Sequence, residues 1–204
     1  MNALEYISDK WNVDVSAPSP IRIPINTHRV ELAKMFHELA FTCGAEVGTG
    51  YGGYAAILCG NNKNAAIYCI DPWEAYKDFS LYGSDEKMDS NYHKTLDRLQ
   101  HYKNVRIIRK YSMDALKQFK DGSLDFVYID ANHTYDYVME DVIGWSKKVR
   151  KGGIVAGHDY LLPPLIDDRI EVKEAVDEYT EAHNIEPWFV MGTPERSMSW
   201  LWIK

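Results

Sequence analysis

Cysteine is scarce in this 204-residue chain: only Cys43, Cys59 and Cys69 occur, with no C-x-x-C pair and no histidine beside them. That argues against a disulfide framework or a zinc cluster and leaves free thiols of a reducing cytosol. Basic residues are also in deficit, 23 Lys+Arg against 30 Asp+Glu, for a net charge of −7. A nucleic-acid groove would need a basic face, and an anionic membrane would need a polybasic stretch; neither is expected. No apolar run approaches the length of a membrane span. The first twenty residues carry Glu5, Asp9, Lys10 and Asp14 without an apolar signal region, so a cytoplasmic protein is expected. Low-complexity tracts, internal repeats and linkers are missing too, so residues 1–204 read as one domain. What remains is an ordinary globular composition, 46% hydrophobic and 13% aromatic. A chain of this length can bury a full core without staples.

Pro18, Pro20 and Pro24 break regular helix, so residues 1–26 read as an extended arm ahead of a core at 27–204. Leu32, Met35, Phe36, Leu39 and Ala40 then recur with helical spacing. After Gly44 the pattern changes to short, nearly continuous apolar runs at Ala45–Val47, Ala65–Ile70, Val105–Ile108, Leu124–Ile129 and Ile154–Ala156. Such runs suit strands buried on both faces of a parallel sheet. Helical periods separate them, at Tyr92/Leu96/Leu99, Ala115/Leu116/Phe119 and Val138/Val142/Trp145/Val149, with a further helix at Val172/Ala175/Val176/Tyr179. Strand alternating with helix predicts a doubly wound α/β sheet. Two final strands, Trp188–Met191 and Met198–Ile203, are separated only by Gly192–Ser197, a link that permits an antiparallel hairpin alone. The expected total is seven strands. Residues 72–90 and 160–169 read as long loops at the ligand-binding edge of the sheet, of the kind that form lids or substrate loops.

Glu46-Val47-Gly48-Thr49-Gly50-Tyr51-Gly52-Gly53 lies where the first strand passes into a helix. Its glycines let the backbone approach a ligand closely. Gly48, Gly50 and Gly53 satisfy G-x-G-x-x-G, and Asp71 ends the second strand 18 residues later. On that pattern alone, an NAD(P)-dependent oxidoreductase fits. Glu46 shifts the balance, because its carboxylate would stand where a pyrophosphate should sit. It suits a ligand with a cationic end.

The string resembles the first motif of the class I S-adenosylmethionine-dependent methyltransferases, a Rossmann-like fold. The resemblance implies that Gly48 and Gly50, with Glu46, Thr49, Tyr51 and Gly53, line the amino-acid end of the cofactor. It implies that Asp71 takes the ribose hydroxyls and that Ser112 lies near the adenine. The alternatives are an exposed strand-end carboxylate for Asp71 and a helix N-cap for Ser112. Class I methyltransferases also end on an antiparallel strand.

Two strand tips carry further chemistry: Asp130-Ala-Asn-His133 after one and Gly157-His158-Asp159-Tyr160 after the next. Carboxylates and imidazoles converging on one edge can hold a divalent cation or act as acid and base. These strings, with Asp141 and Val172–Tyr179, resemble the macrocin-type metal-dependent O-methyltransferases over residues 40–204. By position, the resemblance makes Asp130 and Asp159 metal ligands, His133 the general base, and His158 the occupant of a second acidic ligand position. Magnesium prefers oxygen, so an imidazole ligand would favour manganese or iron; otherwise His158 stands behind Asp159. Asp130, like Glu46 and Asp71, also adds an acidic wall facing the cofactor. A small hydroxylated acceptor, sugar-like or natural-product-like, is the implied partner. A non-catalytic S-adenosylmethionine-binding module is the third reading.

Of the many aromatics, Trp145, Trp188, Trp200 and Trp202 read as core. Trp73, Tyr76, Phe79, Tyr82 and Tyr160 either line an acceptor site or pack within their loops. Tyr6 and Trp11 either fold over the site or contact a second subunit of a homodimer.

Overall fold

A computed structural model describes residues 2–75, 83–162, 165 and 169–204. The N-terminal arm is not simply extended. Helix α1 (Ala3–Trp11) opens on a capping box in which the Asn2 side chain accepts from the Glu5 amide and Glu5 accepts from the Asn2 amide, each at 2.9 Å. The prolines lie beyond its end, which falls at a left-handed Asn12. Strand β1 (Ile21–Ile23) then buries its two isoleucines and turns Arg22 outward. Tyr6 and Ile7 are buried in the core and Trp11 packs edge-on against Tyr6, so both aromatics serve packing.

Thereafter strands and helices alternate as expected: α2 (His28–Glu38), β2 (Cys43–Val47), α3 (Gly53–Asn61), β3 (Ala66–Asp71), α4 (Asp85–Leu99), β4 (Val105–Arg109), α5 (Ser112–Leu116) and β5 (Leu124–Ile129). They are followed by α6 (Tyr135–Lys148), β6 (Val149–Tyr160), α7 (Val172–Ala182), β7 (Trp188–Met191) and β8 (Met198–Ile203). The sheet order is β1-β7-β8-β6-β5-β2-β3-β4, eight strands rather than seven, because β1 adds to the edge by pairing parallel with β7. Among the described residues β8 alone runs against the rest, antiparallel to both β6 and β7.

Both sheet faces are covered, which is why the strand sequences are continuously apolar. On one face α1, α2 and α3 pack against Phe126, Tyr128, Ile154 and Leu201, with Phe36 stacked on Phe126 at 3.9 Å. On the other, α5, α6 and α7 bury Trp145, Val127, Ile129 and Val155. Trp188, Trp200 and Trp202 are core residues of the closing strands. Helix α4, capped by Ser84, takes residues 85–90 out of the long loop expected at 72–90, and Val149 starts β6 rather than ending a helix. Tyr76, Phe79 and Tyr82 lie outside the described residues, as does much of 160–169. No helix among the described residues is long and apolar enough to cross a membrane.

The burial of α1 makes it part of the folding unit. Ile7→Ala should lower the unfolding free energy by about 2–4 kcal/mol in denaturant titration, as expected for a fully buried isoleucine. An unpacked arm would leave it unchanged.

Candidate active site

The order of the sheet reverses direction around β2, which is flanked by β5 on one side and β3 on the other. Ligands of open α/β sheets bind outside the strand ends at such a point. The tip of β2 is tied on both sides: the Gly48 amide donates to the Ile70 carbonyl at 2.8 Å, and the Asp130 amide donates to the Val47 carbonyl at 2.7 Å. Gly48 has φ +90°, and a Cβ there would stand 2.0 Å from the Asp130 carbonyl oxygen, so only glycine fits. Gly50 is clamped by its peptide groups. Its amide donates to Asp71 Oδ2 at 2.8 Å, and its carbonyl accepts from Trp73 Nε1 at 2.6 Å and Thr95 Oγ1 at 2.8 Å. Trp73 is therefore a buried buttress of the glycine loop. Tyr160 is buried against Trp188, its hydroxyl donating to Asp177.

Between this loop and the tip of β5 lies a cavity of about 630 Å³. Glu46, Gly48, Thr49, Gly50, Tyr51, Gly53, Asp71, Ser112 and Asp130 all line it, as does His133. Asp71 also accepts from the Trp73 amide through Oδ1 at 2.7 Å, and burial pushes its carboxyl up to about 6 against the pull of the two amides and Arg109. Glu46 is fully enclosed. Burial raises it well above the usual carboxylate range, Arg29 and Thr49 opposing and Asp130 adding to the rise. Ser112 is the first residue of α5 rather than its N-cap, which is Tyr111. Its hydroxyl donates to the buried Asp141 and accepts from Trp145 Nε1 at 2.8 Å. Burial pushes Asp141 up to about 7, with Ser112 opposing.

Beyond Asp130 stands a cluster of carboxylates and imidazoles. His133 Nε2 is 3.6 Å from Asp130 Oδ1 and 3.1 Å from Asp159 Oδ2. Burial opposes charge on His133, but the two carboxylates prevail and raise its pKa. Asp159 leaves the β6–β8 ladder at a register shift and takes φ +55°, which turns it and its neighbour His158 toward Asp130. His158 Nδ1 is 3.1 Å from Asp159 Oδ1 and 3.9 Å from Asp130 Oδ1. Burial resists ionisation of Asp159, yet His158, His133 and the Ser197 hydroxyl, which donates at 2.6 Å, hold it well below its ordinary range.

Three ligand atoms, one each from Asp130, His133 and Asp159, lie within 4.8 Å of one another. Donors adjacent around a cation at about 2.1 Å would be about 3.0–3.4 Å apart; His133 and Asp159 at 3.1 Å meet that spacing and His133 and Asp130 at 3.6 Å exceed it, so this mixed oxygen and nitrogen set could hold a divalent metal once its side chains draw in. His158 stands beside the trio and does not line the cavity.

Three site residues escaped the sequence reading. Arg29, at the start of α2, donates from Nη2 to Asp130 Oδ2 at 3.1 Å. Ser197, in the β7–β8 link, holds Asp159. His28 stacks on His158 with ring centroids 5.6 Å apart, bonds Ser199 Oγ at 2.8 Å, and is pushed down to about 4 by burial, with His158 and Arg29 adding to the shift. Each reaches the site across long sequence separation, so no local motif marks it.

A doubly wound sheet in which the last strand of the chain runs antiparallel between its neighbours, a glycine loop after the central strand and acidic strand tips defines the class I methyltransferase fold. The chain belongs to the family described as "Methyltransferase domain", whose model matches residues 45–160. Among curated proteins it is 31% identical over 119 residues to uncharacterized protein R132 of Acanthamoeba polyphaga mimivirus, covering 56% of this chain and 50% of that protein. It is 27% identical over 119 residues to uncharacterized protein y4gI of Sinorhizobium fredii, covering 56% of this chain and 12% of that one. The chain thus spans half or less of the length of these relatives. In fold it is similar to the O-methyltransferase from Bacillus cereus solved in complex with SAH, with a TM-score of 0.62, 16% identity, and coverage of 99% of this chain and 89% of that one.

The raised Asp71 carboxyl has a consequence for stability. Its contribution is full below the unfolded value of 3.8 and is lost as pH rises through about 6. The stability of the wild type relative to Asp71→Asn should therefore fall by up to about 3 kcal/mol between pH 4 and 7 in denaturant titrations. A pH-independent difference would refute the shift.

Proposed function

We propose that the chain is an S-adenosylmethionine-dependent O-methyltransferase that methylates a hydroxyl of a small sugar-like or natural-product-like acceptor with the help of a divalent cation. The observation that carries the reading is the junction of two features at Asp130: a glycine-lined cavity within the volume range of small-molecule sites and a carboxylate–imidazole cluster. Family membership and a fold shared with an SAH-bound methyltransferase support it. The buried Glu46 disfavours a dinucleotide, whose pyrophosphate would meet a carboxylate in low dielectric.

In this reading Asp71 accepts from the ribose hydroxyls with the lone pairs its amide bonds leave free, and Ser112 faces the adenine. Glu46 and Asp130 surround the positively charged end. Methyl transfer to oxygen is an in-line displacement, so the clamped glycine loop contributes by fixing the donor relative to the acceptor. Asp130 and Asp159 would hold magnesium or manganese, and His158 and Ser197 would orient Asp159. A cation bound there would lower the pKa of the acceptor hydroxyl. His133 lines the cavity and takes the acceptor proton. The protein acts in the cytoplasm on small molecules rather than on nucleic acid or membranes.

With an acceptor found by screening hydroxylated compounds, Asp159→Asn should lose both manganese affinity in calorimetry and turnover. His133→Gln should keep manganese and S-adenosylhomocysteine affinity while kcat falls about 10²–10⁴-fold. If His133→Gln also loses the cation, His133 is a metal ligand rather than the base.

A further inference from the structure

Helix α7 has no part in the proposed chemistry, yet its carboxylates hold both of the strings that carry it. The string after β5 runs two residues past His133 to Tyr135, whose amide donates to Glu171 Oε2 at 2.8 Å and whose hydroxyl donates to Glu178 Oε2 at 2.6 Å. The string after β6 runs one residue past Asp159 to the buried Tyr160, whose hydroxyl donates to Asp177 Oδ1 at 2.7 Å. Glu171 makes the closest of these joins. It is the N-cap of α7, and its amide donates to the His133 carbonyl at 2.8 Å while its carboxylate takes the Tyr135 amide. One residue therefore grips the chain on both sides of Thr134.

The first amides of a helix have no acceptor within it, and the residue before the helix ordinarily supplies one from its side chain. Thr134 stands at that place before α6 but gives the helix no side-chain bond. Its amide and hydroxyl turn back to Asn132 Oδ1 at 3.0 and 3.1 Å, and a carboxylate 36 residues away takes over the cap. A negative charge suits a helix start, but a local side chain would serve that end equally well. What the distant one adds is position. Both peptide groups that follow His133 are bonded, the first through its carbonyl to Glu171 and its amide to Asn132, the second through its amide to Glu171. We infer that Glu171 is a positioning residue for His133, fixing the imidazole against Asp159, whose own string α7 holds through Tyr160. His133 Nε2 then stands 3.1 Å from Asp159 Oδ2. The inference rests on the reading of His133 as the base, a role in which a small misplacement is costly.

NMR of the full chain carrying isotope-labelled histidine tests this without an acceptor, the ring signals of His133 being assigned by their loss in His133→Gln. Glu171→Ala should displace or broaden those signals and leave the ring signals of His93 and His101 in place. Affinity for S-adenosylhomocysteine should stay within about twofold of the wild type. With an acceptor found by screening, kcat should fall about tenfold to a hundredfold at unchanged KM. Glu171→Gln keeps an acceptor oxygen and should restore both the signals and kcat. In the His133→Gln background, Glu171→Ala should cost no further turnover, because the group it positions is already gone. A Glu171→Ala protein that is merely less stable toward denaturant, its His133 signals unmoved, overturns the inference, as does an equal loss of kcat in both backgrounds. If Glu171→Ala does not fold, Glu171→Asp leaves the carboxylate one methylene short of the Tyr135 amide and must move the same signals; unmoved signals overturn the inference. Wild-type turnover in His133→Gln would sink the base reading instead, and the ring signals would still decide whether Glu171 positions His133.

Discussion

The backbone of Gly48 rests against the backbone of Asp130, and the site depends on that contact. A side chain at Gly48 would collide with the Asp130 carbonyl, so the glycine is what lets the tips of β2 and β5 close on each other. Because they close, the loop that follows β2 and the acidic string that follows β5 share one cavity rather than facing separate solvent. The neighbouring clamps follow from the same geometry. Asp71, Trp73 and Thr95 can hold the Gly50 peptide only because the loop turns back over β3.

Charge is organised around that seam. Glu46, Asp71, Asp130 and Asp159 crowd one edge of the sheet, and burial makes each of the first two harder to ionise. The compensation is local and specific: amides for Asp71, Arg29 for Asp130, and two imidazoles with a serine for Asp159. An edge built this way favours cationic ligands, in keeping with a chain of net charge −7. A sulfonium donor and a divalent cation both answer to that electrostatic pattern.

Much of this was legible in the sequence, for a physical reason. Strands buried on both faces leave unbroken apolar runs, so Leu124–Ile129, Trp188–Met191 and Met198–Ile203 have the bounds expected from sequence. In a parallel sheet, chemistry gathers where those runs end, which is how Glu46, Asp71, Asp130 and Asp159 could be named from position alone. The arm departs from its expected extended form because its prolines lie past the helix that the Asn2–Glu5 capping box starts, and so do not interrupt it. Arg29 and Ser197 were invisible for a different reason: their partners lie 101 and 38 residues away. The left-handed turn at Asp159, which brings His158 and Asp159 onto one site, falls on a residue type that tolerates it and so leaves no glycine to read.

The central claim is that one cavity holds an adenosyl cofactor and a cation at the same seam. A crystal structure of the protein with S-adenosylhomocysteine and manganese, with anomalous scattering to locate the metal, tests this most directly. The nucleoside should lie between Asp71 and Ser112, the amino-acid end beside Glu46, and an anomalous peak at bonding distance from Asp130 and Asp159. Manganese bound elsewhere, or an adenosyl ligand outside the glycine-lined cavity, would contradict it.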